Sequence, residues 1–383
     1  MVTGSRAEYG LLSGLLKALD ADPGVRLQLL VTGAHLSPRL GLGVQEIEAD
    51  GFEISARVDL ALDDDTAPGV AKSMGLALAG IGGALAELRP DLMVVLGDRY
   101  EILAAVEAAL IARVPVAHIH GGEVTEAAID DSIRPAISKM SHIHFTAAPE
   151  YARRVVQMGE DPDQVHVVGA LGLDAIENLD PLPLERLSED VGMDLGGGFF
   201  LVTYHPVTLA RGDALAPVDA MLAAFDEHPE YGIVFTGVNA DTGNAAVARR
   251  IEEYVERNPG RAVAAPSLGQ RRYLSLMGLA KAVVGNSSSG IIEAPAMRIP
   301  TVNIGDRQRG RLRGASVVDC GESRGDISAA LGRALAPEMA AVIAAAEPVY
   351  GQPGAARRIV ERLRRTEFDR LTKKRFHDLA APS

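Results

Sequence analysis

His118-Ile-His-Gly-Gly-Glu123, running on to Asp130-Asp131-Ser-Ile-Arg134, follows the apolar run Val114-Pro-Val-Ala117. The run reads as a buried parallel strand, so the polar residues fall where that strand ends and its loop begins. In open α/β sheets that edge is where ligands bind. Two glycines let backbone approach a ligand closely, and imidazoles, carboxylates and a guanidinium crowd around them. This density suits acid/base chemistry on a polar, anionic substrate. His118 and His120 alternate with Ile119, so one of the two faces the packed side, and a structural role is assigned to His118. Asp131 is either the N-cap of a helix starting at Ser132, with Pro135 in its first turn, or a chemical group.

Outward from this stretch, short β-branched runs alternate with longer helical patterns, the signature of βαβ units and parallel sheets. Strands are expected at Leu27–Thr32, Leu92–Leu96, Val114–Ile119, Ile143–Ala147 and Val165–Val168, then at Phe199–Thr203, Ile233–Thr236, Ala282–Val284, Thr301–Ile304 and Val317–Val318. Helical periodicity covers about Tyr9–Leu19, Val70–Leu88, Glu101–Ala112 and Tyr151–Met158. The fold class is therefore α/β, with two Rossmann-like domains facing a cleft. The segment from Glu177 to Glu185 holds two prolines and no clear period, which marks a linker. This gives an N-terminal Rossmann-like domain over 1–176 and a C-terminal Rossmann-like domain over 177–354. A helix and tail over 355–383 would return to the first domain. Only Met1 and Val2 precede the loop Thr3-Gly4-Ser5-Arg6, whereas a strand normally has about five residues. Either the chain starts upstream or the first strand is clipped.

Composition narrows the function. Hydrophobic residues at 47% and charged residues at 23% are those of a globular protein. Glu107 and Arg113 interrupt the longest apolar run, so no membrane span and no membrane partner are expected. Nothing at the start resembles an export signal. A single cysteine, Cys320, rules out an internal disulfide and suits a reducing cytoplasm. The net charge of −13 argues against nucleic-acid binding. It would also repel a free nucleotide, so an anionic substrate needs local arginines. Arg307, Arg309, Arg311 and Arg313 form one such cluster.

Four further loops carry chemistry. Gly4-Ser-Arg-Ala-Glu-Tyr-Gly10 opens a helix and offers backbone N–H groups to a phosphate, with Arg6 either a phosphate contact or a surface ion pair. Gly97-Asp98-Arg99 follows a strand, and Asp98 is either a cap or a catalytic carboxylate. His205-Pro206 closes another strand and holds an imidazole at its carboxyl end. Gly285-Asn-Ser-Ser-Ser-Gly-Ile-Ile-Glu293 places hydroxyls at a helix N-terminus, where they could bind pyrophosphate, and Glu293 one turn in could accept from ribose hydroxyls. The alternative there is a plain serine cap. Asp63-Asp64-Asp65 reads as a solvated loop, and no zinc spacing occurs.

Taken together, these motifs resemble the hydrolysing UDP-N-acetylglucosamine 2-epimerases, matching in order and approximate spacing from residue 3 to about 314. The resemblance implies the two-domain GT-B architecture, a homodimer, and release of UDP from UDP-N-acetylglucosamine with formation of N-acetylmannosamine, for sialic-acid-type sugars. Sister enzymes act on bacillosamine-type nucleotide sugars toward legionaminic acid. The non-hydrolysing relatives have Glu-Ala-Gly where this chain has His120-Gly-Gly. By the same resemblance Asp98, Glu123, Asp131 and His205 are catalytic, and Arg6, His120, Ser287, Ser288, Glu293 and Arg307 hold the nucleotide sugar. Inverting C2 by elimination and rehydration needs acid/base groups on both faces of a flat intermediate. UDP leaves readily once arginines and a helix N-terminus hold its charge, so no metal or other cofactor is required.

Overall fold

The computed structural model describes residues 1–64, 66–125, 129–205, 215–237, 244–265 and 268–379. Contacts divide the chain into two compact units: Met1–Glu123, Ile129–Ala175 and Tyr350–Ser383 form one, and Val124–Ala128 with Ile176–Val349 the other.

The first unit carries strands β1 Val2–Thr3, β2 Leu29–Thr32, β3 Ile54–Val58, β4 Met93–Leu96, β5 Val116–Ile119, β6 Ile143–Thr146 and β7 Val165–Val167. Hydrogen bonds join them in the orders β1-β2-β3 and β4-β5-β6-β7, all parallel, and β1 lies alongside β4. β1 has two residues and pairs only Val2 with Leu30 and Thr3 with Val31. The sequence runs outward from β1 in both directions, which makes the β1/β4 boundary a topological switch point. The interior strands are buried along their whole length, because helices cover both faces of a parallel sheet.

One face is covered by the helix Arg6–Asp20, whose Leu12, Leu15 and Leu16 are fully buried, and by the C-terminal helix Ala355–Arg364 through Ile359 and Leu363. Burial of an Ile or Leu side chain contributes about 1.5–3 kcal/mol, so these two residues tie the end of the chain to its beginning. Asp174 fixes the start of that helix, its carboxylate accepting the N–H groups of Gly354, Ala355 and Ala356 at 2.5, 2.9 and 2.7 Å. The other face is covered by the helices Ala67–Leu88 and Tyr100–Ala112. Against the expectation that no apolar run has the length of a span, Ala67–Leu88 contains an 18-residue window with a mean hydropathy of 1.4, enough by length and composition alone, and only Lys72 and Glu87 are charged among its 22 residues. Val70, Leu76, Leu78, Ile81, Leu85 and Leu88 supply most of that hydropathy, spaced by alanines and glycines. In this unit it packs on Tyr100–Ala112 with Ala77, Ile81 and Leu85 buried.

The second unit holds β8 Phe199–Thr203, β9 Gly232–Thr236, β10 Ala262–Ala265, β11 Ala282–Gly285, β12 Thr301–Ile304 and β13 Val317–Cys320. They form one parallel sheet in the order β10-β9-β8-β11-β12-β13. This is the doubly wound order, with its switch point between β8 and β11. Gly285 makes the close approach there possible: its φ is 133°, and a Cβ would collide with the Thr203 carbonyl. Two strands were not expected from the sequence, β3 and β10. Both are outermost strands, half-buried and built partly of alanine, arginine and serine, so neither shows a strong apolar run.

Candidate active site

In the first unit the loops after β1, β4 and β5 meet at one edge. Ser5 caps the helix Arg6–Asp20 by accepting the Glu8 N–H at 3.4 Å, and the Glu8 carboxylate accepts the Gly4 N–H at 2.7 Å. This capping box was readable as Ser-x-x-Glu, yet Glu8 was not singled out. Burial pushes the Glu8 carboxyl up to about 8, with the nearby Glu101 adding to the shift and the Gly4 N–H and Arg99 opposing it. Glu101 is itself buried and takes an ion pair from Arg99 at 2.7 Å. Arg6 lies in the first turn of the capped helix, and its guanidinium donates to the Gly41 carbonyl.

Asp98 follows β4. It is not a cap: the N-cap position of Tyr100–Ala112 is Arg99, whose side chain makes no capping bond. Its carboxylate instead pairs with the Arg134 guanidinium, which is almost wholly buried. Arg134 belongs to the helix Asp130–Met140, whose N-cap position is Ile129. The capping reading of Asp131 is thereby corrected, since Asp131 lies inside the first turn. Its spacing of three puts it on the face of Arg134, toward which Asp98 points. Arg134 stood in the decisive stretch, but only its place on the helix face reveals it as the partner of Asp98.

β5 ends in the two histidines, and their roles separate. His118 is fully buried, with Nδ1 3.0 Å from the Ser138 hydroxyl and Nε2 2.7 Å from the Gly97 carbonyl. Burial pushes its imidazole down to about 3. His120 has a positive φ of 65°, unusual for a residue with a side chain. That twist turns its ring to Glu123, with Nδ1 2.7 Å from the carboxylate, while the Leu171 N–H points at Nε2 at 3.5 Å. A carboxylate only accepts, so Nδ1 carries a proton. Gly122 permits the turn between them: its φ is 79°, and a Cβ would strike the Tyr151 carbonyl.

In the second unit, the ends of β8 and β11 are laced together by Asn286. Its fully buried amide accepts the His205 N–H at 2.7 Å and donates to the His205 carbonyl at 2.8 Å. Its own carbonyl accepts from Arg307 Nη1 at 3.0 Å and Gln308 Nε2 at 2.8 Å. His205 and Arg307 are thus both anchored on the segment that opens the helix Ser289–Ala296. Pro206, expected to stop β8, lies outside the described residues, although the strand does end at Thr203. Ser288 occupies the N-cap position with no side-chain capping bond, and Ser287 Oγ accepts the Ser289 N–H at 3.4 Å. The plain serine cap is therefore not what is found. Glu293 is buried within the helix, and the hydroxyl of the half-buried Tyr273 bonds Ser289 and Thr203, its phenol pushed up to about 12 by desolvation. Asn286 and Tyr273 escape a sequence reading because their partners lie far away in the chain.

The arginine cluster is dispersed. Arg307 bonds the β11 loop, whereas Arg309 pairs with Asp306 at 3.2 Å, Arg313 with Asp319 at 3.0 Å, and Arg311 donates to the Val124 carbonyl at 2.9 Å. Alternate residues of a turning segment point in different directions, so proximity in sequence did not make one patch. Asp64 accepts the Thr66 N–H at 2.9 Å as a turn residue would, and Asp65 lies outside the described residues. Among the described residues no group of His, Cys, Asp and Glu could hold a metal ion.

The sequence profile of a family described as UDP-N-acetylglucosamine 2-epimerase matches residues 17–364. The chain belongs to that family. It is 40% identical over 319 residues, 83% of each chain, to the GDP/UDP-N,N'-diacetylbacillosamine 2-epimerase (hydrolyzing) of Campylobacter jejuni. It is 38% identical over 319 residues, 83% of this chain and 81% of its relative, to the polysialic acid biosynthesis protein P7 of Escherichia coli. Among solved structures, the UDP-GlcNAc 2-epimerase from Neisseria meningitidis, bound to UDP-GlcNAc, matches with a TM-score of 0.80 at 17% identity over 95% of this chain and 99% of that one. The likeness at that identity is one of fold: two Rossmann-like domains of the GT-B type, as the sequence motifs imply.

Proposed function

We propose that this 2-epimerase is hydrolysing and acts on a UDP-linked 2-acetamido sugar, releasing UDP and the free sugar inverted at C2. The supporting observation is the Asp98–Arg134 pair, with Asp131 on the same helix face and the His120–Glu123 pair at the neighbouring strand end. In this reading Ser287, Ser288, Arg307 and Glu293 hold UDP, the diphosphate lying at the N-terminus of the helix Ser289–Ala296. His120 and Glu123 contact the sugar, and His205 sits by the leaving oxygen.

The chemistry proceeds in two stages. One carboxylate removes the C2 proton while the C1–O bond breaks and its electron pair leaves with UDP, giving a C1–C2 alkene. Water then adds to C1, losing a proton to a second group, and a proton is delivered to C2 from the opposite face. Asp98, Glu123 and Asp131 supply the acid/base groups, and Arg134 holds Asp98 at one angle.

UDP-N-acetylglucosamine, yielding N-acetylmannosamine, is the first substrate to test. A bacillosamine-type nucleotide sugar is the second, favoured by the name of the Campylobacter relative. A homodimer in the cytoplasm is the working state of this reading. The test is to incubate the full chain with each nucleotide sugar and separate the products. Free UDP with the free 2-epimer supports the reading and names the substrate. Accumulation of an intact UDP-linked epimer would show the non-hydrolysing reaction instead.

A further inference from the structure

We propose that His118 is a positioning residue, a neutral imidazole that locks the Asp98 loop to the helix carrying Asp131 and Arg134. The inference rests on the function proposed above and concerns how its carboxylates are held. A carbonyl oxygen only accepts, so the 2.7 Å contact to Gly97 puts the imidazole proton on Nε2. Nδ1 is then an acceptor, and the Ser138 hydroxyl at 3.0 Å is its donor. Ser138 therefore selects the tautomer that can reach Gly97.

Each end of this link touches a segment that matters. Gly97 immediately precedes Asp98, turns with a φ of 79°, and donates its own N–H to the Ile119 carbonyl at 3.0 Å. Asp131, Arg134 and Ser138 lie at spacings of three and four along one face of the helix Asp130–Met140. A Cβ at Gly121 would come within 2.9 Å of Ser138 Oγ and 3.1 Å of His118 Nδ1, so the exit of β5 closes over the same link. Three chain segments with candidate chemistry are thus referenced to one ring. Arg134, His120 and His144 are the charged or titratable groups around it, and they reinforce burial in keeping the ring neutral.

The experiment compares wild type with Ser138→Ala, His118→Gln and His118→Ala in the full chain, measuring kcat, KM, UDP affinity by calorimetry and the pH dependence of kcat. Displacing a reacting group by about 1 Å costs up to about a hundredfold in rate, so Ser138→Ala and His118→Ala should lower kcat by roughly tenfold to a hundredfold. UDP affinity should stay within about twofold, because the nucleotide contacts lie elsewhere. His118→Gln, whose amide can still donate to Gly97, should recover part of kcat without altering the shape of the pH profile. Ser138→Ala keeps the imidazole and so remains informative if the histidine variants do not fold. The proposal is overturned if folded, UDP-binding Ser138→Ala and His118→Gln turn over at the wild-type rate, or if His118→Gln removes a limb of the pH profile. A wild type that binds UDP but consumes no nucleotide sugar would instead overturn the proposed function, and this inference with it.

Discussion

Replacing Asn286 with alanine should cost the protein both stability and turnover, and the size of the loss follows from its two bonds to His205. The side chain is fully buried and exchanges contacts of 2.7 and 2.8 Å with the main-chain N–H and carbonyl of His205. Removing it leaves both groups without their partner in a buried place, and each such group costs about 1–3 kcal/mol. The sum is about 2–6 kcal/mol, and water entering the small space left by the amide would draw the result toward about 3 kcal/mol. Asn286→Asp is a sharper control: it keeps the acceptor for the N–H but turns a charged oxygen toward the His205 carbonyl, so it should be no better than alanine. Urea unfolding followed by far-ultraviolet circular dichroism measures the change, with kcat measured in parallel. An Asn286→Ala protein within about 1 kcal/mol of wild type, the range of an ordinary substitution, would refute the view that this amide staples β8 to β11.

Other outcomes follow from the same geometry. Asp174→Ala removes three charge-assisted bonds to the first turn of Ala355–Arg364 and should destabilise the first unit by about 2–4 kcal/mol in the same urea experiment, against a few tenths for an exposed change. The Glu8 carboxyl, raised from 4.5 to about 8, keeps its proton in the folded chain after the unfolded chain has lost it. Its contribution to stability is therefore full below the unfolded value and is lost as pH rises toward about 8, and Glu8→Gln should flatten that part of the stability profile. His118 works in the opposite direction. Its pKa is lowered from 6.5 to about 3, so stability is present above 6.5 and falls as pH drops toward 3; His118→Gln should reduce the acid-side slope. Asp98→Asn and Asp131→Asn should each lower kcat at least a hundredfold, on the order expected for loss of an acid/base group, with UDP affinity retained by calorimetry.

The central strands were the easiest part to read. Phe199–Thr203 and Thr301–Ile304 were located residue for residue, because a strand buried on both faces is one unbroken apolar run between polar turns. β3 and β10 were illegible for the complementary reason: at the sheet's outer positions Ile54-Ser-Ala-Arg-Val58 and Ala262-Val-Ala-Ala265 need not be apolar. The loops that bear chemistry were legible as positions after strands. What those side chains do depends on partners the chain brings from a distance, such as Arg134 to Asp98 and Asn286 to His205. In the Arg307–Arg313 segment the four guanidiniums take separate partners, Asn286, Asp306, Val124 and Asp319 among them, which their spacing in the sequence does not reveal. At Asp98 and Asp131 strand-loop-helix context left a cap open as one of two readings, and neither helix uses that cap.

The most direct test of the account is the reaction in heavy water, following nucleotide, sugar and the C2 hydrogen together by proton and phosphorus magnetic resonance. Elimination and rehydration predict free UDP alongside a free 2-epimer carrying deuterium at C2, with Asp98→Asn silent on both signals. A free sugar that retained its original C2 hydrogen would contradict the mechanism, because direct hydrolysis at C1 never opens that bond.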